Sequence, residues 1–190
     1  VAINILCNFT TAQIPFLERR PFALPQSGQY PVRNTVDHQY PSTNIEDGTF
    51  ISFDGSIYNN NVTYPNGCNL GVSCYDGHAG TDYFMPFNTV IVAPAAGYVI
   101  WASFSDPANP CPGGIDPNGD QGTVIIAHNN SYYSCYFHLN PPLNVSVGEN
   151  VETGDTLGYN GNSGCAINAH LHFEIRKDSY FFDTEASWAV

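Results

Sequence analysis

Basic side chains are scarce in this sequence. It contains 5 Lys and Arg against 17 Asp and Glu, so its formal net charge at pH 7 is −12. Proteins bind the phosphates of nucleic acids and the surface of anionic membranes through lysine and arginine. The composition therefore predicts that neither nucleic acid nor an anionic membrane surface is a partner of this chain.

Long apolar segments and helical periodicity are absent as well. No stretch approaches the ~18 consecutive apolar residues of a membrane-spanning helix, which predicts a chain without a membrane span. Segments rich in Val, Ile, Tyr, Phe and Thr recur between turn-forming residues, among 17 Gly and 14 Pro. This pattern is typical of β-strands joined by turns. We predict an all-β protein, built as a compact antiparallel β-sheet or sandwich.

The predicted strands are short and separated by turns rich in Pro, Gly or Asn. A turn at residues 94–97 separates the first two strands, and Asn129-Asn130 forms the tip of a hairpin. The last strand carries His170 and His172. The other predicted strands cover residues 89–94, 97–101, 122–127, 132–139, 145–151 and 156–159.

Residues 1–48 differ in composition from residues 49–190. The first segment holds five prolines and shows little periodicity, so we predict an extended N-terminal arm followed by one domain. The arm packs on its own domain or adds a strand to a neighbouring subunit. The second alternative predicts a homo-oligomer, which would be filamentous if the rotation between subunits does not close.

The cysteines lack the C-x-x-C spacing of many zinc sites, but their number is even. Six cysteines favour three disulfides in an oxidising compartment. The sequence also lacks an initiator Met and a signal-peptide pattern, from which we predict a processed, secreted, extracellular chain. The expected pairs are Cys68–Cys74, Cys111–Cys165 and Cys7–Cys135.

Four sequons permit N-glycosylation without showing it, at Asn8, Asn61, Asn129 and Asn144.

Two histidine-containing patterns indicate a metal site. Side chains alternate along a strand, so His170 and His172 project from one face. Upstream, His78 and Asp82 are separated by roughly 13 Å if the chain is extended, so it must curl between them, at a glycine, to bring both to one ion. Zinc takes imidazole nitrogen and carboxylate oxygen, and a catalytic site uses three protein ligands. His78, Asp82 and either His170 or His172 would supply them.

Four segments in this order resemble the sequence blocks of one peptidase family. Residues 77–83 contain the H-x-x-x-D pattern, and residues 92–99 resemble the strand-turn-strand that follows it. Residues 136–139 resemble the Y-x-H-L block, and residues 161–174 the closing G-N-T-G…H-L-H-F-E block. The chain is thereby similar to the lysostaphin-type (LytM-like) zinc endopeptidases, which have the duplicated-hybrid-motif β fold. The resemblance covers roughly half of the chain.

The resemblance implies a role for each residue of the site. It makes His78, Asp82 and His172 the ligands of Zn²⁺, and it places His170 and His138 close to the attacking water and the scissile peptide. A neutral His170 would take a proton from that water, and His138 would stabilise the oxyanion or hydrogen-bond the water. The family tends to cut glycine-containing peptides, typically peptidoglycan cross-links, so the implied partner is a peptide or cell-wall substrate.

Two further histidines lie outside these patterns, and a second function is compatible with the same sequence. His128 ends a predicted strand and is interpreted as structural, and His38 in the arm as a hydrogen-bonded surface residue. The leading function is a secreted zinc metalloendopeptidase. The alternative is a non-catalytic structural or adhesive extracellular protein, filament-forming in one version, that retains the peptidase fold and the metal site.

Overall fold

The computed structural model describes residues 17–23, 30–37, 49–52, 56–59, 77–104, 121–164, 166 and 168–178. Within these ranges the regular structure consists of eleven β-strands and one 3₁₀ helix, Asn129–Ser131. No helix in these ranges has the length and apolar character needed to cross a membrane. The strands are Val32–Asn34 (β1), Thr49–Ile51 (β2), Ile57–Asn59 (β3), Thr81–Phe84 (β4), Val90–Val92 (β5), Gly97–Ser103 (β6), Gly122–Ala127 (β7), Tyr132–Asn140 (β8), Asn150–Val151 (β9), Thr156–Asn160 (β10) and His170–Lys177 (β11).

Nine of these strands form one sheet in the order β1-β4-β11-β8-β7-β6-β9, with β10 joining β8 to β5. Strands β2 and β3 form a separate hairpin. Every pairing among the described strands is antiparallel. The prediction of an all-β, antiparallel fold is confirmed. The sheet places β11, which carries the H-L-H motif, between β4 and β8.

The predicted hairpin across Asn129-Asn130 is confirmed, because β7 and β8 pair along their length on either side of the 3₁₀ helix. The strand predicted over residues 145–151 is wrong except for its last two residues. The backbone N–H of Glu149 donates to the carbonyl of Ser146, and Gly148 has φ +97°. Residues 146–149 therefore form a turn, and the apolar Val147 at this turn is 61% exposed.

The alternation along β11 separates the core from the candidate site. Leu171, Phe173 and Ile175 lie in the main hydrophobic cluster. The residues between them project from the opposite face of the strand. One strand thus anchors the domain with one set of side chains and presents its imidazoles with the other.

Part of the predicted N-terminal arm packs on its own domain. Strand β1 pairs with β4, placing Val32 opposite Tyr83 and Asn34 opposite Asp82. Phe22 is 1% exposed, forms a β-bridge with Ile91 and belongs to the main hydrophobic cluster. In the described ranges the arm thus follows the first alternative, packing in cis. The boundary at residues 48 and 49 and an oligomer formed through the rest of the arm stay predictions.

The predicted Cys7–Cys135 disulfide is wrong. Cys135 is a free cysteine on β8, 0% exposed and packed with Ile125 and Phe137. An even number of cysteines does not require all of them to be bridged, and a thiol packs well in an apolar core. The other five cysteines and the sequons at Asn8 and Asn61 lie outside the described residues. Asn129 and Asn144 are exposed, and their glycosylation stays a prediction.

Candidate metal centre

The register between β4 and β11 brings the two histidine-containing patterns together. His172 is the direct cross-strand partner of Asp82. His78 precedes β4 by three residues, and its Nε2 lies 3.2 Å from Oδ1 of Asp82. The chain therefore does curl between His78 and Asp82, as the sequence required.

Three ligand-type atoms form a tight triangle. His172 Nδ1 lies 2.9 Å from Asp82 Oδ1 and 3.0 Å from His78 Nε2, and these three residues form a group that could hold a metal ion. Tetrahedral zinc with ligands at ~2.0–2.1 Å separates its ligand atoms by about 3.3 Å. The triangle and its donor set of two imidazole nitrogens and one carboxylate oxygen both fit Zn²⁺.

Glycine is required at position 80 for a different reason from the one the sequence suggested. Among the described glycines, Gly77 and not Gly80 has a positive φ in this segment, at +73°. A Cβ on Gly80 would lie 2.5 Å from Nε2 of His172 and 2.8 Å from the Phe173 carbonyl oxygen. Gly77 thus allows the turn, and Gly80 lets β11 approach closely enough for His172 to meet Asp82.

Hydrogen bonds to the remote ring nitrogens fix both imidazoles of the triangle. His78 Nδ1 donates to the Thr35 carbonyl at 3.0 Å. His172 Nε2 lies 2.9 Å from Oε1 of Glu174, a buried carboxylate that also pairs with Arg176. When both rings are neutral and donate these bonds, His78 Nε2 and His172 Nδ1 are left with lone pairs directed at the triangle.

His170 and His138 lie beside the triangle. His170 Nε2 is 3.7 Å from Asp82 Oδ1, and Nδ1 of the same ring donates to the Asn168 carbonyl at 2.8 Å. The rings of His170 and His138 have centroids 4.6 Å apart. The structure therefore brings together all five residues that the resemblance assigned to the site.

The glycine-rich loop after β10 orients His138. His138 Nδ1 donates to the Ser163 carbonyl at 2.8 Å. The Ser163 hydroxyl donates to the Leu139 carbonyl at 2.7 Å and accepts from the Gly122 amide at 2.8 Å, which ties the loop to β7 and β8. His138 itself has φ +64°, an uncommon conformation for a residue with a Cβ. Its ring position is thus set by the loop as well as by the strand.

The charges of the triangle are strongly coupled. Burial opposes ionisation of Asp82, but hydrogen bonds with His172 and His78 outweigh it and hold the pKa of this carboxyl well below its usual range. Burial likewise opposes protonation of His172, yet its hydrogen bonds to Asp82 and Glu174 raise its pKa to about 9. The interaction of the His172 ring with these two carboxylates thus outweighs the effect of burial on its pKa.

The neighbouring imidazoles are shifted in the opposite direction. Burial, together with the nearby His170 and His172, lowers the pKa of His138 to about 3. Burial also lowers the pKa of His170, although Asp82 opposes this shift. Both rings are therefore neutral near pH 7, the state in which an imidazole accepts a proton or a hydrogen bond.

His128 lies apart from this cluster. Its Nδ1 donates to the Ala96 carbonyl at 2.8 Å and its Nε2 lies 2.7 Å from the Ser134 hydroxyl, bonds that agree with its structural interpretation. His38 lies outside the described residues. Sequence reasoning missed the partners Asn34 and Thr35, because contacts between residues distant in sequence leave no local spacing pattern. It assigned no role to Glu174 or Ser163 either, although both lie within the closing block of the resemblance, residues 161–174.

Comparisons with known proteins agree with this geometry. The profile of Peptidase family M23 matches residues 76–184, more than half of the chain. Peptidoglycan DD-endopeptidase ShyC of Vibrio cholerae is 37% identical over 98 residues, covering 52% of this chain and 20% of that protein. Lysostaphin of Staphylococcus staphylolyticus is 31% identical over 117 residues, covering 62% of this chain and 21% of that protein.

A solved structure of LytU has a TM-score of 0.51 at 21% identity, covering 88% of this chain and 86% of LytU, and supports the fold alone. The chain spans about a fifth of the length of the two relatives above. The family resemblance and the Zn²⁺ cofactor predicted from the sequence are both confirmed. The chain belongs to Peptidase family M23, a family of zinc-dependent metallopeptidases.

Proposed function

We propose that this chain is an extracellular zinc metalloendopeptidase that hydrolyses peptide bonds of peptidoglycan. The observation that carries the proposal is the cluster of three ligand-type atoms within 2.9–3.2 Å of one another, with two further imidazoles beside it. A metal ion next to neutral, hydrogen-bond-oriented imidazoles is an arrangement suited to the hydrolysis of an amide.

The proposed ligand atoms are His78 Nε2, Asp82 Oδ1 and His172 Nδ1. Their selection is supported by distance, since His170 Nε2 is 3.7 Å from Asp82 Oδ1 whereas His172 Nδ1 is 2.9 Å away. A bound Zn²⁺ lowers the pKa of a water molecule towards neutrality and polarises the carbonyl of a peptide. The protein contributes a buried site in which hydrogen bonds hold the ligand side chains through the atoms that face away from the metal position.

His170 is the proposed general base. A carbonyl oxygen only accepts hydrogen bonds, so the bond from His170 Nδ1 to the Asn168 carbonyl holds the ring hydrogen on Nδ1. The lone pair of the neutral ring is then on Nε2, the nitrogen that faces Asp82 and the proposed ligands. His170 can therefore take a proton from a water at Nε2 without first changing its tautomer.

His138 is the proposed partner of the attacking water. Its Nδ1 is committed to the Ser163 carbonyl, so Nε2 of the neutral ring is an acceptor. This favours a role in orienting the water over donation to the oxyanion, because donation from Nε2 would require a second proton on the ring. The sequence had left both roles open.

The proposed substrate is a peptidoglycan peptide, with glycine-containing cross-links as one candidate. The support comes from the ShyC relative, named a peptidoglycan DD-endopeptidase, and from the similarity to lysostaphin-type enzymes. This substrate class also supports the proposed extracellular location, because it lies outside the cell membrane. The proposed catalytic domain is residues 49–190, with the described part of residues 1–48 packed on it.

The test compares zinc content and hydrolysis for the full chain and three histidine variants. The substrates are a pentaglycine peptide and purified peptidoglycan. His172→Ala should lose both bound zinc and turnover, because it removes a ligand. His170→Ala should keep zinc and lose about 10²- to 10⁴-fold in kcat, the usual contribution of a general base. His128→Gln, outside the site, is the matched control and should keep both.

Two results would contradict parts of this proposal. Wild-type turnover by His170→Ala would reject the assigned base. Absence of hydrolysis by the zinc-loaded wild type on both substrates would reject the enzyme and favour the non-catalytic structural or adhesive alternative. Cleavage of only one substrate would identify the type of bond.

A further inference from the structure

The segment formed by residues 34–37 contacts the proposed ligands although it lies more than 35 residues before the family match begins. It comprises the end of β1 and the three residues that follow. These residues make hydrogen bonds to Asp82, to the ring and backbone of His78, and to Gly77. We call this segment the brace.

The first contact of the brace is made by Asn34. Its Nδ2 donates to Oδ2 of Asp82 at 2.6 Å, and the two residues are cross-strand partners of β1 and β4. Oδ2 is the oxygen that does not face the histidines; Oδ1 is the one near His78 and His172. The amide thus fixes the rotation of the carboxylate, occupying one oxygen and directing the other into the triangle.

The second group of contacts holds His78. The Thr35 carbonyl accepts from His78 Nδ1, and the backbone N–H of Asp37 donates to the His78 carbonyl at 2.8 Å. The Asp37 carboxylate, 0% exposed, accepts from the amides of Gly77 and Ile51, both at 2.9 Å. The brace therefore fixes both the ring and the backbone of His78.

The Asn34 side chain also bears a cost at this position. Its Oδ1 is buried and has no hydrogen-bond partner. A buried polar atom without a partner destabilises the folded state, whereas an apolar residue at this position would leave no such atom. The hydrogen bond to Asp82 is the favourable interaction that Asn34 makes and that an apolar side chain at this position could not make.

We propose that the brace is part of the metal centre and that Asn34 is a positioning residue that presents Oδ1 of Asp82 to zinc. This inference rests on the proposed ligand set. Outer partners that orient metal ligands contribute about 10- to 100-fold to metal affinity. The brace supplies such partners to two of the three ligands from outside the family-matched region.

The experiment measures zinc affinity of the full chain by competition with a chromophoric chelator. Asn34→Ala should weaken zinc binding by about 10- to 100-fold and speed zinc release. Asn34→Asp keeps the shape of the side chain but replaces the donor with an acceptor, and it should weaken binding at least as much. The matched control is Asn144→Ala, which truncates the same type of side chain at an exposed position outside the brace.

Thermal unfolding of the metal-free variants distinguishes positioning from a general loss of the fold. Weaker zinc binding by Asn34→Ala or Asn34→Asp, with metal-free unfolding like that of Asn144→Ala, supports the brace. If Asn34→Ala does not fold, the isosteric Asn34→Asp decides. Zinc affinity equal to that of Asn144→Ala in a folded Asn34 variant overturns the inference.

The same titration on His172→Ala separates this inference from the proposed function. If His172→Ala loses zinc while the Asn34 variants keep it, the brace is wrong and the ligand set stands. If His172→Ala binds zinc like the wild type, the ligand set is wrong and the brace fails with it.

Discussion

The two parts of the molecule that meet at the metal centre differ in what they contribute. Strands β4, β8 and β11, inside the family match, carry Asp82, His138, His170 and His172. The described N-terminal residues carry none of the proposed ligands, yet they contribute Phe22 to the core and Asn34 and Thr35 to the partners of the ligands. The proposed ligands thus come from the family match, whereas their supporting partners come from both parts of the chain: Glu174 from inside the match, and Asn34 and Thr35 from outside it.

The largest expected effect tests whether the N-terminal residues are part of the fold. Phe22 is 1% exposed and packs against Tyr30 and Tyr83 with ring centroids 5.3 and 5.0 Å apart. Phe22→Ala should lower the free energy of unfolding by about 3–5 kcal/mol, the usual cost of truncating a core phenylalanine. The measurement is urea denaturation of the full chain.

The matched control for Phe22 is Phe87, which has the same side chain but is 52% exposed. Phe87→Ala should change the free energy of unfolding by less than about 0.5 kcal/mol. Equal effects of the two substitutions on the free energy of unfolding would show that the N-terminal residues do not stabilise the domain. They would contradict the structural contribution given above to the N-terminal region.

A smaller effect is expected at Gly80, inside the family match. A Cβ there would overlap His172 Nε2 and the Phe173 carbonyl, so Gly80→Ala should cost about 1–3 kcal/mol and weaken zinc binding. Gly158→Ala is the control, because its Cβ would meet its nearest atom, Leu143 Cδ2, at 3.6 Å, an ordinary contact. Wild-type stability and zinc affinity in Gly80→Ala would show that β11 has room to move away from the ligands.

The smallest effect concerns His128, a histidine inside the match that lies apart from the site. Burial lowers its pKa, opposed by its bond to the Ala96 carbonyl, so the folded state takes up a proton on this ring at a lower pH than the unfolded chain does. The unfolded chain takes up a proton below about pH 6.5, and the stabilisation present above that pH is lost as pH falls towards the lowered pKa. The loss from one group is at most ~1.4 kcal/mol for each pH unit.

The measurement compares the free energy of unfolding of wild type and His128→Gln at pH 8 and pH 5. A chelator is present so that zinc release does not contribute to the pH dependence. His128→Gln should show a smaller loss of stability on acidification. Identical pH dependence in the two proteins would contradict the structural role assigned to this half-buried ring.

Sequence reasoning predicted correctly the features that depend on neighbouring residues or on the family resemblance. Alternation along a strand correctly placed His170 and His172 on one face, and the antiparallel hairpin around Asn129-Asn130 followed from its turn. The spacing left open which histidine meets Asp82. That choice depends on the register of β4 against β11, which no local pattern encodes, and only the resemblance pointed to His172.

The strand predicted over residues 145–151 failed because of a local turn at Gly148, whereas the other failures share a physical cause, which is tertiary contact. The even number of cysteines, with the other four paired first, predicts a disulfide for Cys135, whereas its burial in an apolar cluster leaves it a free thiol. The sequence predicts that Gly80 supplies backbone freedom, although the approach of His172 is what requires it. The contact between Asn34 and Asp82 joins residues 48 positions apart and was invisible in the sequence.

The pairing of β1 with β4 bears on how such a domain can be moved between proteins. A fragment cut at the start of the family match would retain all five site residues but leave Asp82 without its amide donor and His78 without its carbonyl acceptor. Recombination or grafting of the family-matched residues alone would transfer the five site residues without the N-terminal residues that orient Asp82 and His78. The transplantable unit of this protein therefore includes the short strand that begins at Val32.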